Sequence, residues 1–373
     1  MKKVINLVFN DFTHDIRVLK ISRSLQSHGY DVTLVATHFE KSLPKEEIKE
    51  DFKIRRFNVG RIKILPFNLI LFWLVVIKNF RKEKVFHCND LYTLPPAYLI
   101  KKIFNKNAKI VYDCHEYETE AAIYIRKPII KKLAKIFEKN MIIAADRVFG
   151  VSPWVAKEYQ KIYGIKPIIL FNAPRFFSSK KPDLFRKDLG IPEDKIIFLF
   201  QGGFLDGRGI DDLLEVFSSL ERKNSQLVLV FLVYGKGLKI LKERIGNMKN
   251  VYWHEKVSPL VFMEYVASAD WGIYLMKNIS INHNLTLPNK LFDYILGGLP
   301  IVSSKIKAMS SFVEENGVGY TVDSRDLKSI VSLLETFDKR TKKKFVPNLK
   351  KVAKEYCWEE QEKVLISEYN ALT

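Results

Sequence analysis

The chain alternates short runs of β-branched and aromatic residues with longer amphipathic segments, and it does so in both halves. This alternation is typical of parallel sheets, in which each strand connects to the next through a helix. Because the pattern occurs twice in 373 residues, we predict an α/β protein of two Rossmann-like domains.

The predicted elements of the first half are strands at 3–9, 32–36, 84–88, 109–113 and 147–151, with helices near 16–28, 94–104, 129–144 and 153–162. Those of the second half are strands at 196–201, 226–233, 271–275, 300–303 and 318–322, with helices at 209–221, 237–246, 259–268, 289–297 and 325–336.

A polar, proline-punctuated segment at 176–195 separates the two series and is typical of a linker. We therefore assign 1–175 to an N-terminal domain and 196–355 to a C-terminal domain. Ligands of open α/β sheets bind beyond the carboxyl ends of the strands, so two such domains facing each other predict a site in the cleft between them.

The net charge is +19 and is concentrated in the first half. Residues 1–175 carry 32 Lys and Arg against 17 Asp and Glu, whereas 176–373 carry 29 against 25. The basic first half therefore indicates an anionic surface or polymer as its partner.

The three cysteines, Cys88, Cys114 and Cys357, are odd in number and far apart, which favours a reducing compartment over a disulfide framework. Cys88 and Cys114 each follow an apolar run, so we expect them to be buried thiols. The first residues, MKKVINLVFNDF, resemble a signal peptide only superficially, because seven residues separate Lys3 from Asp11 and no small-residue cleavage site follows. They fit a first strand better, and we expect a cytoplasmic protein.

Titratable residues follow three of the predicted strands of the first half, where function sits in this architecture. The candidates are Asp11, His14, Asp15 and Arg17 after the first strand, His87 and Asp90 in VFHCND, and Asp113, His115 and Glu116 in VYDCHE. The aspartates fit equally well as helix caps and turn formers. His115 is harder to explain as a cap, so a functional role is favoured for it.

Two segments of the second half have the character of anion sites. In FLFQGGFLDGRGIDD, a strand runs into a glycine pair and then Arg208 at a helix start. In LTLPNKLFDYILGGLP, Pro288 begins a helix whose first turn carries Lys290. The two cations could converge on a diphosphate. The alternative for Lys290 is an i,i+3 ion pair with Asp293.

Taken together, these segments resemble the group 1 glycosyltransferases of the GT-B fold, specifically glycosyltransferase family 4. The similarity covers nearly the whole chain and includes HDIRVLKISRSLQSHGYDVTLVA, VYDCHEYETE, DRVFGVSPWVAKEY, QGGFLDGRGIDDLLEVF, SINHNLTLPNKLFDYILGGLPIVSS and YCWEEQEKVLISEY. Within the family the chain is similar to a subgroup with a P-N-K-L-F-[DE]-Y motif. The last segment, 356–373, looks like the C-terminal helix that returns toward the N-terminal domain.

The resemblance implies an enzyme that transfers a sugar, a hexosyl or N-acetylhexosaminyl group, from a nucleotide donor, with retention and without a metal, since no D-x-D occurs. By carry-over, His115, Arg208 and Lys290 are the catalytic candidates. The donor-binding candidates are Gly202, Gly203, Arg208, Gly235, Lys256, Asn289, Lys290 and Asp293. The acceptor-side candidates are Asp11, His14, Arg17, Asp90 and Glu116. No cofactor is implied.

The chain departs from the family's common pattern at Gly203, where many members have a basic residue, and at Leu285, where many have Glu. It also has Asp293 in place of the family's ribose-binding Glu. These differences bear on the donor sugar, whereas a nucleotide-sugar site is still implied, with UDP- or GDP-sugar as the expected donor in cell-surface polysaccharide or glycolipid synthesis.

Two segments of the basic half point to a membrane surface. Residues 64–77, ILPFNLILFWLVVI, are uncharged but too short to span a bilayer. Residues 127–142, KPIIKKLAKIFEKNMI, form a basic amphipathic helix with Ile130, Leu133, Phe137 and Met141 on one face. The alternatives are a buried helix and an ordinary surface helix. The membrane hypothesis is peripheral docking on an anionic cytoplasmic leaflet that presents a lipid-linked acceptor.

Three other functions remain open. A nucleotide-sugar 2-epimerase shares the fold but needs no acceptor. A sugar-nucleotide-binding protein could have lost catalysis. A nucleic-acid binder would fit the charge, but the chain has no such motif and its charge runs lack interleaved aromatic residues; nucleic acid is therefore not an expected partner.

Overall fold

The computed structural model describes residues 2–60, 65–121, 127–177, 182–204, 207–235 and 237–372. The chain forms two compact units. Unit 1 comprises Met1–Phe171 and Gln361–Thr373, and unit 2 comprises Asn172–Glu360.

Unit 1 contains one eight-stranded sheet. Its strands are β1 (Lys2–Leu7), β2 (Tyr30–Thr37), β3 (Glu46–Lys49), β4 (Phe52–Phe57), β5 (Val85–Asn89), β6 (Lys109–Asp113), β7 (Arg147–Gly150) and β8 (Ile168–Ile169). They lie in the order β3-β4-β2-β1-β5-β6-β7-β8. All neighbouring strands run parallel except β3 and β4. The carboxyl ends of β1, β5 and β6 therefore meet at one edge.

The α-helices of unit 1 before residue 172 are α1 (Ile16–Ser27), α2 (Leu65–Phe80), α3 (Leu94–Leu99), α4 (Pro128–Ile142) and α5 (Pro153–Tyr163). Local signals set their ends. Asp15 caps α1 by accepting from the Val18 N–H, and Ser152 caps α5 just before Pro153. The predicted helix at 94–104 is α3 followed by a π turn at Ile100–Phe104.

Unit 2 contains a six-stranded, fully parallel sheet. Its strands are β9 (Ile196–Gly203), β10 (Leu227–Tyr234), β11 (Val251–His254), β12 (Trp271–Tyr274), β13 (Ile301–Ser304) and β14 (Gly319–Val322), in the order β11-β10-β9-β12-β13-β14. Its helices are α6 (Leu184–Leu189), α7 (Ile210–Lys223), α8 (Leu238–Ile245), α9 (Phe262–Ala267), α10 (Ile281–Leu285), α11 (Asn289–Leu296), α12 (Lys307–Glu315), α13 (Leu327–Glu335) and α14 (Val346–Glu355).

Helix α11 packs closely against the middle of this sheet. A Cβ on Gly272 of β12 would lie 2.3 Å from the ring of Tyr294, so the glycine lets the helix approach the strand. This close approach holds the first turn of α11 beside the carboxyl end of β9.

The segment 176–195 is not the simple linker that its polarity predicts. Residues 178–181 lie outside the described residues, but 184–189 form α6, which belongs to unit 2. Phe185 of α6 is fully buried against His254 and Tyr265, and Arg186 pairs with Asp270. One buried aromatic residue and one ion pair thus fix a segment whose composition reads as loop.

The last helix, α15 (Trp358–Leu372), contributes its final residues to unit 1. Tyr369 is fully buried there, edge-on to Tyr30, and Arg147 pairs with Glu368 at 2.6 Å.

Several elements gave no clear sequence signal. They are β3, β4, β8, β11, α10, α12 and α14. β3, for example, reads EEIK, and its charges hide the alternation. All three cysteines are free and buried, and burial of Cys88 and Cys114 was predicted. Within the described residues, no helix is both long and apolar enough to cross a membrane.

Candidate active site

Two cationic side chains converge at the carboxyl end of β9 in unit 2. A Cβ placed on Gly202 would lie 2.6 Å from Nζ of Lys290 and 3.6 Å from Nη1 of Arg208. Gly202 also has a φ of 119°, which L side chains rarely adopt. Glycine is therefore needed at this position both for the backbone conformation and to leave room for the cations.

Among the residues that the structure describes, neither Lys290 nor Arg208 forms a close ion pair or a hydrogen bond, although the charge of nearby Asp293 acts to raise the pKa of Lys290. Lys290 is buried, with Nζ 4.9 Å from the centre of the Tyr274 ring. Burial and the neighbouring charge of Arg208 lower the pKa of Lys290 to about 7. Two poorly solvated like charges at one point are stabilised by an anion between them.

The alternative ion pair between Lys290 and Asp293 is not formed within the described part of the chain. Asp293 instead accepts a hydrogen bond of 2.8 Å from Nε2 of Gln201, the residue before the glycine pair. The carboxylate is half-buried on the second turn of α11.

The other donor-side candidates also lie at this edge of the sheet. Gly203 ends β9, Gly235 follows β10, Lys256 follows β11, and Asn289 begins α11. Gly203 pairs in register with Tyr234, whose ring is exposed and lies 5.9 Å from Nζ of Lys256. The structure thus brings all eight donor-side candidates to one end of the unit 2 sheet.

In unit 1, a buried ion pair holds the edge where β1, β5 and β6 end. Arg17 of α1 donates two hydrogen bonds to the Asp113 carboxylate and a third, of 3.0 Å, to the carbonyl of Leu170. Burial opposes ionisation of Asp113, but Arg17 and His115 outweigh it and hold its pKa well below the ordinary value. Arg17 is only 3% exposed, and its guanidinium is engaged by Asp113 and the Leu170 carbonyl.

His115 is partly exposed, and both of its ring nitrogens face oxygen atoms. Nε2 lies 3.1 Å from Oδ1 of Asn89 and 3.2 Å from Asp113, and Nδ1 lies 3.5 Å from Asp90. Burial lowers the pKa of His115, but the two carboxylates outweigh it and raise the pKa to about 9. His115 is therefore an imidazolium at neutral pH.

Asp90 lies beside His115 in a strained backbone conformation, with a φ of 65°. Its carboxylate accepts from the His115 backbone N–H at 3.2 Å and is bonded to the Glu118 side chain. Burial raises the pKa of Asp90, and burial together with Asp90 raises that of Glu118 well above its ordinary value. The proximity of these two carboxyl groups thus disfavours their simultaneous ionisation.

The remaining acceptor-side candidates are Asp11, His14 and Glu116, of which Glu116 acts on the cluster through its charge by raising the pKa of Glu118. Asp11 accepts from the Thr37 hydroxyl at 2.7 Å and from the backbone N–H groups of Phe39 and Glu40, as a turn former does. His14 and Glu116 are exposed. In the described ranges, no group of three His, Cys, Asp or Glu side chains is arranged to hold a metal ion.

Two family models match consecutive parts of this chain. The model described as Glycosyltransferase Family 4 matches residues 16–171, and the model described as Glycosyl transferases group 1 matches residues 181–354. The chain belongs to the group 1 glycosyltransferases of family 4. The family expected from the sequence is thereby confirmed, and the matched parts contain both clusters described above.

Solved structures confirm the GT-B fold of this glycosyltransferase. It is similar to a sucrose-phosphate synthase from Thermosynechococcus elongatus (14% identity, 100% and 99% of the two chains covered, TM-score 0.79). It is similar to HepE of Anabaena in complex with UDP-glucose (14%, 100% and 100%, 0.72) and to WaaG, a glycosyltransferase of lipopolysaccharide biosynthesis (14%, 97% and 98%, 0.65). No curated protein sequence matches significantly.

Sequence reasoning missed several residues of the glycosyltransferase that hold these clusters together. They are Asn89, Glu118, Gln201 and Tyr369. Asn89 ends β5 and Gln201 lies near the end of β9, each beside a candidate, which is a usable signal. Glu118 and Tyr369 depend on how a turn and a distant helix fold back, which local patterns do not report.

Proposed function

We propose that this glycosyltransferase transfers a sugar from a nucleotide-diphosphate sugar, a UDP- or GDP-sugar, to a glycan or lipid-linked acceptor in cell-surface polysaccharide or glycolipid synthesis. The observation that carries the proposal is the pair of cations at Gly202, which forms no close ion pair within the described residues. A diphosphate supplies the missing negative charge.

On the donor side, Lys290 and Arg208 bind the diphosphate, helped by backbone N–H groups at Gly202 and the first turn of α11. The Asp293 carboxylate accepts hydrogen bonds from ribose hydroxyls. When the bond between the anomeric carbon and the diphosphate breaks, negative charge grows on the leaving oxygens. The two cations stabilise that charge.

On the acceptor side, the positively charged His115 imidazolium donates a hydrogen bond to a sugar hydroxyl. Asp90, 29% exposed in its side chain, accepts a hydrogen bond from the acceptor hydroxyl. Transfer completes when the acceptor oxygen bonds to the anomeric carbon and its proton leaves on a diphosphate oxygen. UDP-glucose bound to the structurally similar HepE supports a UDP-sugar.

The first test is a thermal-shift series with UDP, GDP, ADP and CMP in EDTA. A ligand at 100 times its dissociation constant adds about 2.7 kcal/mol of stability. We expect one nucleoside diphosphate to stabilise wild type and not Arg208→Ala. Lys223→Ala, which removes a lysine paired with Glu335, is the control and keeps the shift. If no nucleotide shifts wild type, the donor site is wrong.

Product analysis then separates transfer from the epimerase alternative. Incubation with the stabilising nucleotide's sugar and no acceptor leaves the sugar's stereochemistry at C2 unchanged in a glycosyltransferase. Conversion of the donor without an acceptor would instead support the 2-epimerase.

We also propose that unit 1 docks on an anionic bilayer, and helix α4 is the main support. Five of its apolar side chains are exposed, among them Ile129 at 76% and Leu133 at 61%, whereas Met141 and Ile142 near its end are buried. Its acid, Glu138, points inward and is fully buried, accepting from the hydroxyls of Tyr112, Tyr159 and Tyr163 at 3.0, 2.7 and 2.6 Å. This orientation is the reverse of a soluble amphipathic helix.

Helix α2 extends the same apolar surface. Trp73 of α2 stacks on Phe137 of α4 with ring centres 6.3 Å apart, while Ile70 and Leu74 are exposed. We call this surface the apolar face; its residues are Phe67, Ile70 and Leu74 of α2 with Ile129, Ile130, Leu133, Ile136 and Phe137 of α4. Exposed Lys132 and Lys139 lie on the same helix, exposed Lys127 directly precedes it, and all three match anionic headgroups.

Co-sedimentation with vesicles tests the docking. We expect binding to phosphatidylglycerol vesicles at low salt, weaker binding to phosphatidylcholine, and loss on Ile129→Ser with Leu133→Ser. Ile48→Ser, an exposed isoleucine of unit 1 outside the apolar face, is the control. Equal binding by both variants, or none by wild type, contradicts the proposal. Self-association of wild type that the double variant abolishes would identify a protein interface instead.

A further inference from the structure

The last helix of the chain reaches the buried side of the His115 cluster. The Tyr369 hydroxyl of α15 lies 2.7 Å from Nδ1 of His87, a residue in the middle of β5. The two rings are nearly parallel, with an interplanar angle of 15°. Both side chains are fully buried. The contact joins the last turns of the chain to the centre of the unit 1 sheet.

His87 faces Asp113 through its other nitrogen. Nε2 of His87 lies 3.6 Å from Oδ2 of Asp113 and has no hydrogen-bond partner within the described residues. The same carboxylate oxygen lies 3.2 Å from Nε2 of His115. A chain of four side chains thus runs from Tyr369 through His87 and Asp113 to His115.

His87 is neutral, because burial lowers its pKa. A neutral imidazole has one N–H donor and one acceptor nitrogen, and its partners decide which nitrogen carries the proton. When the Tyr369 hydroxyl donates to Nδ1, the proton resides on Nε2 and faces the Asp113 carboxylate. The opposite tautomer would place a lone pair against that carboxylate.

We infer that Tyr369 is a positioning residue of the site: its hydroxyl selects the tautomer of His87 that supports Asp113, and Asp113 in turn holds His115. The inference deepens the proposed function, because it concerns the histidine assigned there to the acceptor side. Four charged groups surround these imidazoles. They are Arg17 of α1, Asp90 just after β5, Asp113 at the end of β6, and Glu118 in the turn beside Asp90.

Tyr30 provides a matched control. It is also a buried tyrosine, and it packs edge-on against Tyr369. Its hydroxyl donates to Asn370 of the same helix at 3.0 Å. Tyr30→Phe therefore removes one hydroxyl that holds α15 without touching the chain to His115, whereas Tyr369→Phe removes the hydroxyl at the head of that chain.

Nitrogen-15 histidine spectra of the full chain test the inference without any substrate. In wild type at neutral pH we expect His87 as the Nε2–H tautomer and His115 titrating near pH 9. In Tyr369→Phe we expect mixed tautomers at His87. We expect the titration midpoint of His115 to rise by about half a pH unit. Without the His87 N–H facing it, the Asp113 carboxylate favours the protonated form of His115 more strongly. Tyr30→Phe keeps both wild-type values.

Two results would overturn the inference. One is an Nδ1–H tautomer of His87 in wild type, which needs no variant to observe. The other is a Tyr369→Phe protein with lower thermal stability but unchanged tautomer and midpoint, which would leave Tyr369 a packing role only. Either can occur while nucleotide binding at Lys290 is intact, so failure here is distinct from failure of the proposed function. In a transfer assay, we expect Tyr369→Phe to lower kcat and to leave the KM for the donor unchanged.

Discussion

The cations of the two clusters differ in what neutralises them. In unit 1, Arg17 and His115 are each bonded or closely opposed to carboxylates, chiefly Asp113. In unit 2, Lys290 and Arg208 lie together at Gly202 without a close ion pair among the described residues. The pKa values move in opposite directions as a result: that of His115 is raised to about 9, and that of Lys290 is lowered to about 7.

The difference separates charges that the protein satisfies itself from charges that need a ligand. A buried cation with its own carboxylate orients neighbouring groups and contributes to the folded structure. A buried cation beside another cation is a cost to the folded state that a bound anion offsets. The two clusters should therefore respond in opposite ways to mutation, pH and nucleotide.

The largest expected effect is on stability. Arg17→Met leaves Asp113 buried without its main partner, and we expect a loss of about 3–5 kcal/mol in the free energy of unfolding. Lys290→Met removes a poorly solvated charge beside Arg208, and we expect an equal or higher melting temperature without ligand. Chemical denaturation measures both variants.

Arg147→Met is the control for the Arg17 variant. It breaks the half-buried pair with Glu368 and should cost less than about 1 kcal/mol. A Lys290→Met protein as unstable as Arg17→Met would remove the distinction between the two clusters.

The second effect is the pH dependence of stability from His115. Its pKa is about 9 in the folded chain against an ordinary 6.5, so the folded state binds more protons between these values. The stabilisation is complete below pH 6.5 and is lost as pH rises through 9, a change of about 3 kcal/mol. Lys290, with its lowered pKa, contributes the opposite slope between about 7 and 10.5.

The His115 contribution is obtained by subtraction. Unfolding free energies of wild type and His115→Gln are compared from pH 6 to pH 9.5, and their difference should shrink as pH rises. A difference independent of pH would mean that the carboxylates do not hold His115 charged.

The third effect is on ligand affinity. Replacing either Lys290 or Arg208 by alanine should weaken binding of the nucleoside diphosphate that stabilised the protein in the thermal-shift series. The expected loss is about 100-fold, the value of one charge-assisted contact in a desolvated site. Isothermal titration measures it, with Lys223→Ala as the unaffected control. Equal affinities of all three variants would place the diphosphate elsewhere.

The smallest expected effect is the pH dependence of this nucleotide affinity. Because Lys290 has a pKa of about 7 without ligand, it must take up a proton to bind an anion as a cation. Affinity for the diphosphate should fall about tenfold between pH 7 and pH 8.5, and binding at pH 8 should take up protons from the buffer. Lys290→Met should abolish this pH dependence; its persistence would assign the proton to another group.

The sequence predicted the donor cluster better than the acceptor-side cluster, for physical reasons. Arg208 lies in the glycine-rich turn between β9 and α7, and Lys290 lies in the first turn of α11 after Pro288, so both positions carry local signals. Arg17 and Tyr369 reach their cluster from a helix face and from the far end of the chain. Contacts between residues so distant along the chain have no local pattern.

The fold shows the same division. Buried strands such as β9 and β10 are continuous apolar runs and were predicted closely. The helix at 184–189 was missed because a single aromatic residue, Phe185, anchors it. The amphipathic pattern of α4 was recognised, but the pattern alone does not tell which side faces the protein.

The hydrogen bonds of the buried Glu138 favour the observed rotation of α4 about its axis over one that differs by a half-turn. A half-turn of this helix would bury Ile129 and Leu133, each worth about 1.5–3 kcal/mol, but it would also expose Met141 and Ile142, which are buried in the observed orientation. That rotation would leave three tyrosine hydroxyls without an acceptor in the interior. The hydrogen bonds of Glu138 thus favour the rotation of α4 in which the apolar face is exposed.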